Sequence, residues 1–394
     1  TTPPINCSSD KDCGVSEQCK WLIFSNGSSL YCVDKTNNLH TTCNDITNLS
    51  HGVNSNNTIT TLSHSIKNAD EDLIELYNEW RMKHPDANHH FENWSDSHER
   101  IKQHNESNKS WSMGHNQFSG HPTTDYFPKN SELNNEVERR RRTNNVYNKN
   151  YYNRNAYDSK ATTLSTASEI DWREFGAVTS VKNQGNCNSC WTFSAIGAIE
   201  GAYKIKHGEL VSLSEQNLLS CTGGKSCETG GLMTNAFDWL QDGNSISHGS
   251  DYQYVNQCPL DQKPPVPACN INSLSSTSSN ITVERYDELS YGQTTNTDLL
   301  NLLQYGPVSI GIDAETSALQ NYIGGILDPP HTEDHTLNHG VLLVGSGTNY
   351  WIIKNSWGQE WGENGYFRLI RDDSHGSEVG ALGILLLASQ PHVV

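Results

Sequence analysis

The chain has 394 residues, with 45 Asp and Glu against 27 Lys and Arg and a formal charge of −18 with histidine neutral. That length exceeds what one core organises and predicts two or three folding units, while the acidic excess argues against a nucleic-acid partner. No run approaches the roughly 20 apolar residues of a membrane span; the longest, around Ile384 to Ala388, reads as a short C-terminal strand.

Residues 1–50 hold Cys7, Cys13, Cys19, Cys32 and Cys43 among Ser, Asn, Asp and Gly. They carry too few apolar side chains for a core, so this small module needs disulfides to fold. It lacks the paired Cys-x-x-Cys spacing of a zinc site, and neither a metal nor another cofactor is expected. Residues 51–69 read as a linker. From Glu71 to His84, Leu73, Leu76, Tyr77 and Trp80 fall at helical spacing, and Pro85 ends the pattern. His84, His89, His90, His98, His104, His115 and His121 crowd the same region, and imidazoles gain charge near pH 6.5, which offers an acid-sensitive trigger. Residues 128–167 are polar and asparagine-rich, show no periodic apolar pattern, and read as an exposed connection. Their run Arg139 to Arg142 suits a processing site or a basic loop lying on an acidic surface.

The acidic excess belongs to the C-terminal part of the chain, since residues 167–394 carry 25 Asp and Glu against 10 Lys and Arg. Carboxylates lose charge toward pH 4, so the self-repulsion relaxes in acid. Within the run Lys182 to Ser194, Cys190 is the candidate nucleophile. Phe193, Ile196, Ile199, Ala202 and Tyr203 recur at helical spacing, Lys206-His207-Gly208 is a stop, and Ser189 is the expected N-cap. Cys190 then lies in a first helical turn, where backbone N–H groups and the helix dipole favour a thiolate. A buried or bridged cysteine is the competing reading. Thiolate catalysis also needs a histidine, a group to orient it and an oxyanion donor. His339 opens a glycine-bounded apolar strand, and Asn355 follows a second strand at Tyr350–Lys354.

At Gln184-Gly-Asn-Cys187-Asn-Ser189-Cys190-Trp191, at Asn338-His339-Gly340, and at Asn355-Ser-Trp357-Gly-x-x-Trp361-Gly-x-x-Gly365-Tyr366, the chain resembles the papain-like cysteine proteases, the cathepsin L and papain group in particular. The likeness covers residues 168–394 as a catalytic domain and, more weakly, 70–127 as an inhibitory propeptide. There Trp94, Ile101 and Asn105 match the interspersed helix signature, and Gly114-His-Asn-Gln-Phe118-Ser-Gly120 matches the next element with Gly120 in place of an aspartate. The resemblance implies an α+β, two-lobed fold with a helical left half and an antiparallel, barrel-like right half. It implies Cys190 as nucleophile, His339 as its ion-pair partner, Asn355 as the group holding the imidazole, and Gln184 with the Cys190 N–H as oxyanion hole. By the same resemblance, Trp357 would shield the Asn355–His339 bond. Gly230 and Gly231 would hold substrate backbone, while Leu232, Met233, Gly340 and Leu387 would line a pocket for a hydrophobic residue two places before the cut, since a charge buried there would be unpaired. Cys187 is rejected as a rival nucleophile because the family bonds its equivalent.

The same resemblance pairs Cys187 with Cys227 and Cys221 with Cys258, and leaves Glu333 and Leu382 at about the two positions of a missing third bridge. Without the nucleophile, five cysteines remain in the front module and five, Cys269 among them, in the catalytic half. If all ten are oxidised within one chain, an odd number of bridges joins the two regions; a local Cys258–Cys269 bridge is an alternative. Sequons at Asn6, Asn26, Asn48, Asn56, Asn93, Asn105, Asn108 and Asn280 suit a glycoprotein. The expectation is therefore the zymogen of a cysteine endopeptidase, maturing near Ser168. It would act on protein or peptide substrates, be held by its own propeptide, and reside in a lysosome or acidic vacuole or outside the cell after removal of a leader. The alternative is a non-enzymatic structural or binding glycoprotein that keeps the fold.

Overall fold

A computed structural model describes the strands at 17–24, 27–34 and 39–40, residues 71–121 except 86, 88 and 89, and residues 130–143. It describes 169–394 apart from 224, 258–264, 271–277, 280, 290–293, 333 and 372–378. The expected linker at 51–69, Cys7, Cys13, Cys43, Cys258, Glu333 and the sequons at Asn6, Asn26, Asn48, Asn56 and Asn280 lie outside these residues. The chain divides into two units, 1–99 with 119–121, and 100–118 with 122–394.

In the first unit, β1 (Glu17–Phe24), β2 (Gly27–Asp34) and β3 (Leu39–His40) form an antiparallel meander that places Cys19 opposite Cys32. The predicted helix at 71–84 is α1 (Glu71–Lys83). Its Tyr77 and Trp80 form an aromatic cluster with Trp94 and Phe91 of α2 (Phe91–Asn105), the Tyr77 and Trp94 rings being 5.2 Å apart. Trp94 is wholly buried, whereas Leu76, at the flank of the α1 stripe, stays exposed. The amide of Asn93 donates to the carbonyl of Gly120.

The second unit begins within α2. Asn105 there accepts from Met113 N at 3.0 Å and donates to Met113 O at 2.9 Å, so both ends of its amide hold β4 (Trp111–Met113). Asn108, by contrast, is exposed in a turn at φ 53°. The reading of 128–167 as an exposed connection is corrected at 130–143: Asn130 is buried and leads into α3 (Ser131–Thr143). Leu133 and Val137, one helical turn apart, are sealed in the buried core that includes Trp191, Met233 and Leu387. A helix touching a core with a single narrow stripe needs no more apolar residues than these two.

The helical half consists of α4 (Cys190–His207), α5 (Glu215–Cys221) and α6 (Met233–Gln241). Ser214 caps α5 by accepting from Asn217 N. The small pair β6 (Ile246–Ser247) and β7 (Ser278–Ser279) joins the helical half, Ser247 N donating to Asn217 Oδ1 of α5; the other half carries β5 (Ile170–Asp171), β8 (Val283–Glu288), α7 (Asn296–Leu303), β9 (Val308–Ile312), α8 (Ser317–Gln320), β10 (Tyr322–Leu327), β11 (His339–Ser346), β12 (Tyr350–Lys354), β13 (Tyr366–Ile370) and β14 (Ala388–Val393). The main sheet runs β4-β10-β13-β12-β11-β9-β14-β8, with β5 beside β11. Pairing is antiparallel except between β10 and β13. β11 is buried along its whole length, and its centre from Val341 to Val344 reads as an unbroken apolar run for that reason.

Helix α4 lies unusually close to β11. A Cβ at Gly197 would stand 2.6 Å from Leu342 Cδ2, and one at Gly201 would stand 2.7 Å from the Pro307 ring. Ser194 Oγ donates to Val341 O at 2.7 Å, and Ser309 Oγ donates to Ser194 O at 3.0 Å, so the helix is bonded to the strands it touches.

Cys187 is bridged to Cys227 as expected. The pairing of Cys221 with Cys258 is not what the structure shows: Cys221 is bridged to Cys269, with Cα atoms 4.8 Å apart. Pro265 O accepts from Asn256 Nδ2 and Asn270 N donates to Tyr252 Oη, which fold the 265–270 segment back along residues 252–256. Asn256 Oδ1 in turn accepts from Gln216 in α5, and this brings Cys269 rather than a free loop to that helix. Leu382, at one end of the missing third bridge, is buried in the core at φ 53°, its carbonyl accepting from Asp313 N at 2.8 Å.

Candidate active site

Cys190 is the first residue of α4, and His339 is the first residue of β11. The close seating of that helix on that strand therefore sets the spacing of the two reactive groups. Ser189 occupies the N-cap position but does not cap through its side chain; its hydroxyl lies 2.6 Å from Tyr254 Oη instead. Tyr254 Oη also donates to Gln184 O at 2.8 Å, so one phenol ties the cap residue to the segment holding Gln184.

His339 Nε2 lies 2.8 Å from Asn355 Oδ1. The same oxygen accepts from Ser356 N at 2.8 Å, which fixes which end of the amide faces the ring. An acceptor at Nε2 keeps a proton there and leaves Nδ1 as the basic nitrogen. Trp357 stacks on the imidazole at 4.8 Å and 25°, and is itself met edge-on by Phe118 at 5.1 Å. Gln117 Nε2 donates to Trp357 O at 3.0 Å. The buried Gln184 side chain accepts from Ser356 Oγ at 2.6 Å and donates to Cys187 O at 2.8 Å, which holds its amide rigidly.

The site is covered. Asn130 N donates to Asn338 O at 3.1 Å, and Asn130 Nδ2 donates to Gly231 O at 2.6 Å and reaches to 3.7 Å from Cys190 Sγ. Gly231 admits no side chain beside Trp191, since a Cβ there would be 2.8 Å from the indole. Met233 and Leu387, two of the expected pocket residues, share one buried cluster with Leu133 and Val137, and Leu232 sits at its edge. Gly340 packs backbone to backbone against Cys190 and Trp191. Sequence reasoning missed Asn130, Leu133 and Val137, and it held Asn338 and Ser356 only as motif positions without a role. Only the i, i+4 spacing of Leu133 and Val137 carried a signal.

Burial dictates the protonation state of the covered pair. It pushes the Cys190 thiol up, against the hydrogen bonds from Gly340 and Asn130. It pushes His339 down to about 4, against the bond to Asn355. In this state the sulfur keeps its proton and the imidazole is neutral, because an ion pair would have to form without water.

Behind the pair lies a buried polar chain. Lys354, adjacent to Asn355, donates to Thr179 Oγ1 at 3.1 Å, and Thr179 donates to Glu200 of α4 at 2.6 Å. Lys182, two residues before Gln184, reaches Glu200 at 3.4 Å and Glu215 at 2.5 Å. Burial disfavours the charge on Lys182, but these two carboxylates outweigh it and hold its pKa up; Lys354, with weaker compensation, is lowered to about 8. A cavity of about 20 Å³ opens among Lys182, Glu200, Glu215, Lys354 and Asn355, room for one water. Among the described residues no group of three or more His, Cys, Asp or Glu is placed to hold a metal.

Residues 166–384 match the papain family cysteine protease profile. The chain is 38% identical over 241 residues to cathepsin L of Sarcophaga peregrina (58% of this chain, 65% of that one) and 42% identical over 217 residues to cathepsin S of Mus musculus (52% and 59%). It thus spans about three-fifths of the length of these curated relatives. Among solved structures it resembles the proform of the ragweed pollen cysteine protease Amb a 11 (TM-score 0.68, 27% identity, 82% of this chain and 95% of that one). It also resembles digestive procathepsin L 3 of Tenebrio molitor (0.64, 30%, 82% and 99%). The chain belongs to the papain family of cysteine proteases.

Proposed function

We propose that this chain is the zymogen of a cysteine endopeptidase whose active site is occluded by its own residues at 130–143. The observation that carries the reading is the Asn355 oxygen fixed toward His339 Nε2 beside a buried, unbridged Cys190 at a helix N-terminus. Once Asn130 and Leu133 leave, water and substrate enter, the proton moves from Cys190 Sγ to His339 Nδ1, and the helix N-terminus stabilises the thiolate. The sulfur attacks the scissile carbonyl carbon. The Cys190 N–H and Gln184 Nε2 receive the developing oxyanion, and His339 passes its proton to the leaving amine. Water, deprotonated by His339, then hydrolyses the thioester and restores the thiol.

Leu232, Met233, Gly340 and Leu387 favour a hydrophobic residue two places before the cut, and in the zymogen Leu133 shares the buried cluster of Met233 and Leu387. Two disulfides among the described residues suit an oxidising route to an acidic compartment or the cell exterior. No helix among the described residues is long and apolar enough to cross a membrane. The test is hydrolysis of a fluorogenic peptide with leucine or phenylalanine at that second position, after incubation at acid pH with a thiol reductant. Activity that emerges with loss of residues before about 168, and not in Cys190→Ala, supports the reading. A folded chain that stays silent after an added protease has removed residues 130–143 refutes it in favour of a binding protein that retains the fold.

A further inference from the structure

We propose that the surface covered by α3 contains a notch for an arginine side chain of the substrate, well upstream of the scissile bond, with Glu288 as the residue that selects it. This rests on the endopeptidase reading and narrows its substrate class. Leu133, Val137 and Arg140 stand at i, i+4 and i+7 and share one face of α3. The first two are sealed against the catalytic core. The third is a cation, yet only 13% of its side chain is exposed.

Among the described residues, the Arg140 guanidinium reaches three acceptors. Nη2 is 2.5 Å from Glu288 Oε1, Nη1 is 3.4 Å from Leu289 O, and Nε is 2.7 Å from Glu136 Oε1. Glu136 belongs to α3 and departs with it. Glu288 and Leu289 lie at the end of β8 and remain, one carboxylate and one carbonyl that Arg140 engages through separate nitrogens. Tyr286 stands in the same strand, its hydroxyl donating to Asp238 of α6 at 2.9 Å, which adds a second carboxylate and an aromatic ring. The nearby cation Arg285 is held by Asp287, which also takes His392. Removal of α3 therefore leaves, at a solvent-facing strand end, one carboxylate and one carbonyl already placed for a guanidinium fork, a geometry that an ammonium satisfies less well.

The reach follows from the helix. Asn130 marks Gly231, and the ten residues from there to Arg140 rise about 15 Å. An extended peptide covers that distance in about four or five residues. With Gly231 serving the second residue before the cut, the notch meets an arginine about six or seven residues before the cut. Short reporter peptides do not extend that far.

The test uses the full chain after acid activation and decapeptide substrates with leucine at the second position before the cut, arginine or alanine being scanned through positions further upstream. The expected result is a kcat/KM ratio of Arg over Ala of about three- to tenfold at the sixth or seventh position, the range for a partly exposed charge-assisted pair. The ratio falls toward one in E288Q, and E288R prefers glutamate there. It also falls toward one for the unmodified chain in about 0.5 M salt, an arm that needs no variant. A flat scan, or a preference indifferent to both E288Q and salt, overturns the proposal. A chain that fails to cut even a short leucine peptide removes the endopeptidase reading and this one with it, a result distinct from a flat scan.

Discussion

Leu133→Ala in the full chain tests whether α3, rather than the bond from Asn130 alone, keeps the site closed. Leu133 is fully buried in the cluster that contains Met233, Leu387 and Val137. Truncating a buried leucine costs about 2–5 kcal/mol, and the lower part of that range, about 2–3 kcal/mol, applies where neighbours close over part of the gap, as flexible Met233 is suited to do. The loss falls on the closed state only, since the open state presents position 133 to water. At about 1.4 kcal/mol per factor of ten, the open fraction rises by roughly 30- to 150-fold. The assay is the rate at which a thiol-specific alkylating agent modifies Cys190 at neutral pH, where closure is rapid and labelling reports the open population. Arg141→Ala, on the exposed side of the same helix, serves as control. Labelling of Leu133→Ala at the wild-type rate would show that α3 docks without closing the site and would refute the argument.

Asn355→Ala removes the acceptor at His339 Nε2 and leaves Ser356 N unpaired; kcat should fall by about 10- to 100-fold with little change in KM, as measured on short peptides. Cys190→Ala isolates the His339 titration: its folded pKa of about 4 lies below the unfolded 6.5. Stability is then complete above pH 6.5 and falls as the pH drops toward 4, by about 2–3 kcal/mol at pH 4.5. Urea unfolding should show that fall in Cys190→Ala beyond whatever remains in Cys190→Ala with His339→Gln, and equal slopes would contradict it. Non-reducing peptide mapping should recover Cys221 joined to Cys269; recovery of Cys221 with Cys258 would restore the pairing expected from resemblance. Of the three sequons in the described residues, Asn105 and Asn93 spend their amides on Met113 and Gly120. Glycosidase treatment followed by mass spectrometry should therefore find the glycan on Asn108, and a glycan confined to Asn105 would contradict this.

The reactive groups were readable from sequence because their chemistry demands residue types that nothing else explains together. A cysteine at a helix start, a histidine opening an apolar strand and an asparagine closing the next strand have few joint alternatives. The plug was not readable in the same way. Ten of the thirteen residues of α3 are Ser, Glu, Asn or Arg, and that polarity hides Leu133 and Val137 from any windowed reading. Arg140 belongs to the buried stripe only because Glu288, far along the chain, stands opposite it. The Cys221 partner failed for a related reason: two cysteines in one proline-rich loop differ in sequence by eleven positions, and only the fold-back through Asn256 and Tyr252 distinguishes them. The chain from Lys354 through Thr179 to Glu200 is likewise invisible until three segments meet.

The seating of α4 on β11 constrains how this chain is able to change over time. Glycine inside a helix costs about 1 kcal/mol relative to alanine, and α4 carries Gly197 and Gly201 where any added methyl would strike Leu342 or Pro307. The separation of Cys190 from His339 is thus recorded as two missing methyl groups, remote from either reacting atom. Alanine at position 197 would force the Leu342 side chain to shift unless position 342 lost volume in the same lineage. The pairs 197 with 342, and 201 with 307, should accordingly drift in concert among descendants, and a candidate site of four polar residues inherits its spacing from four apolar ones.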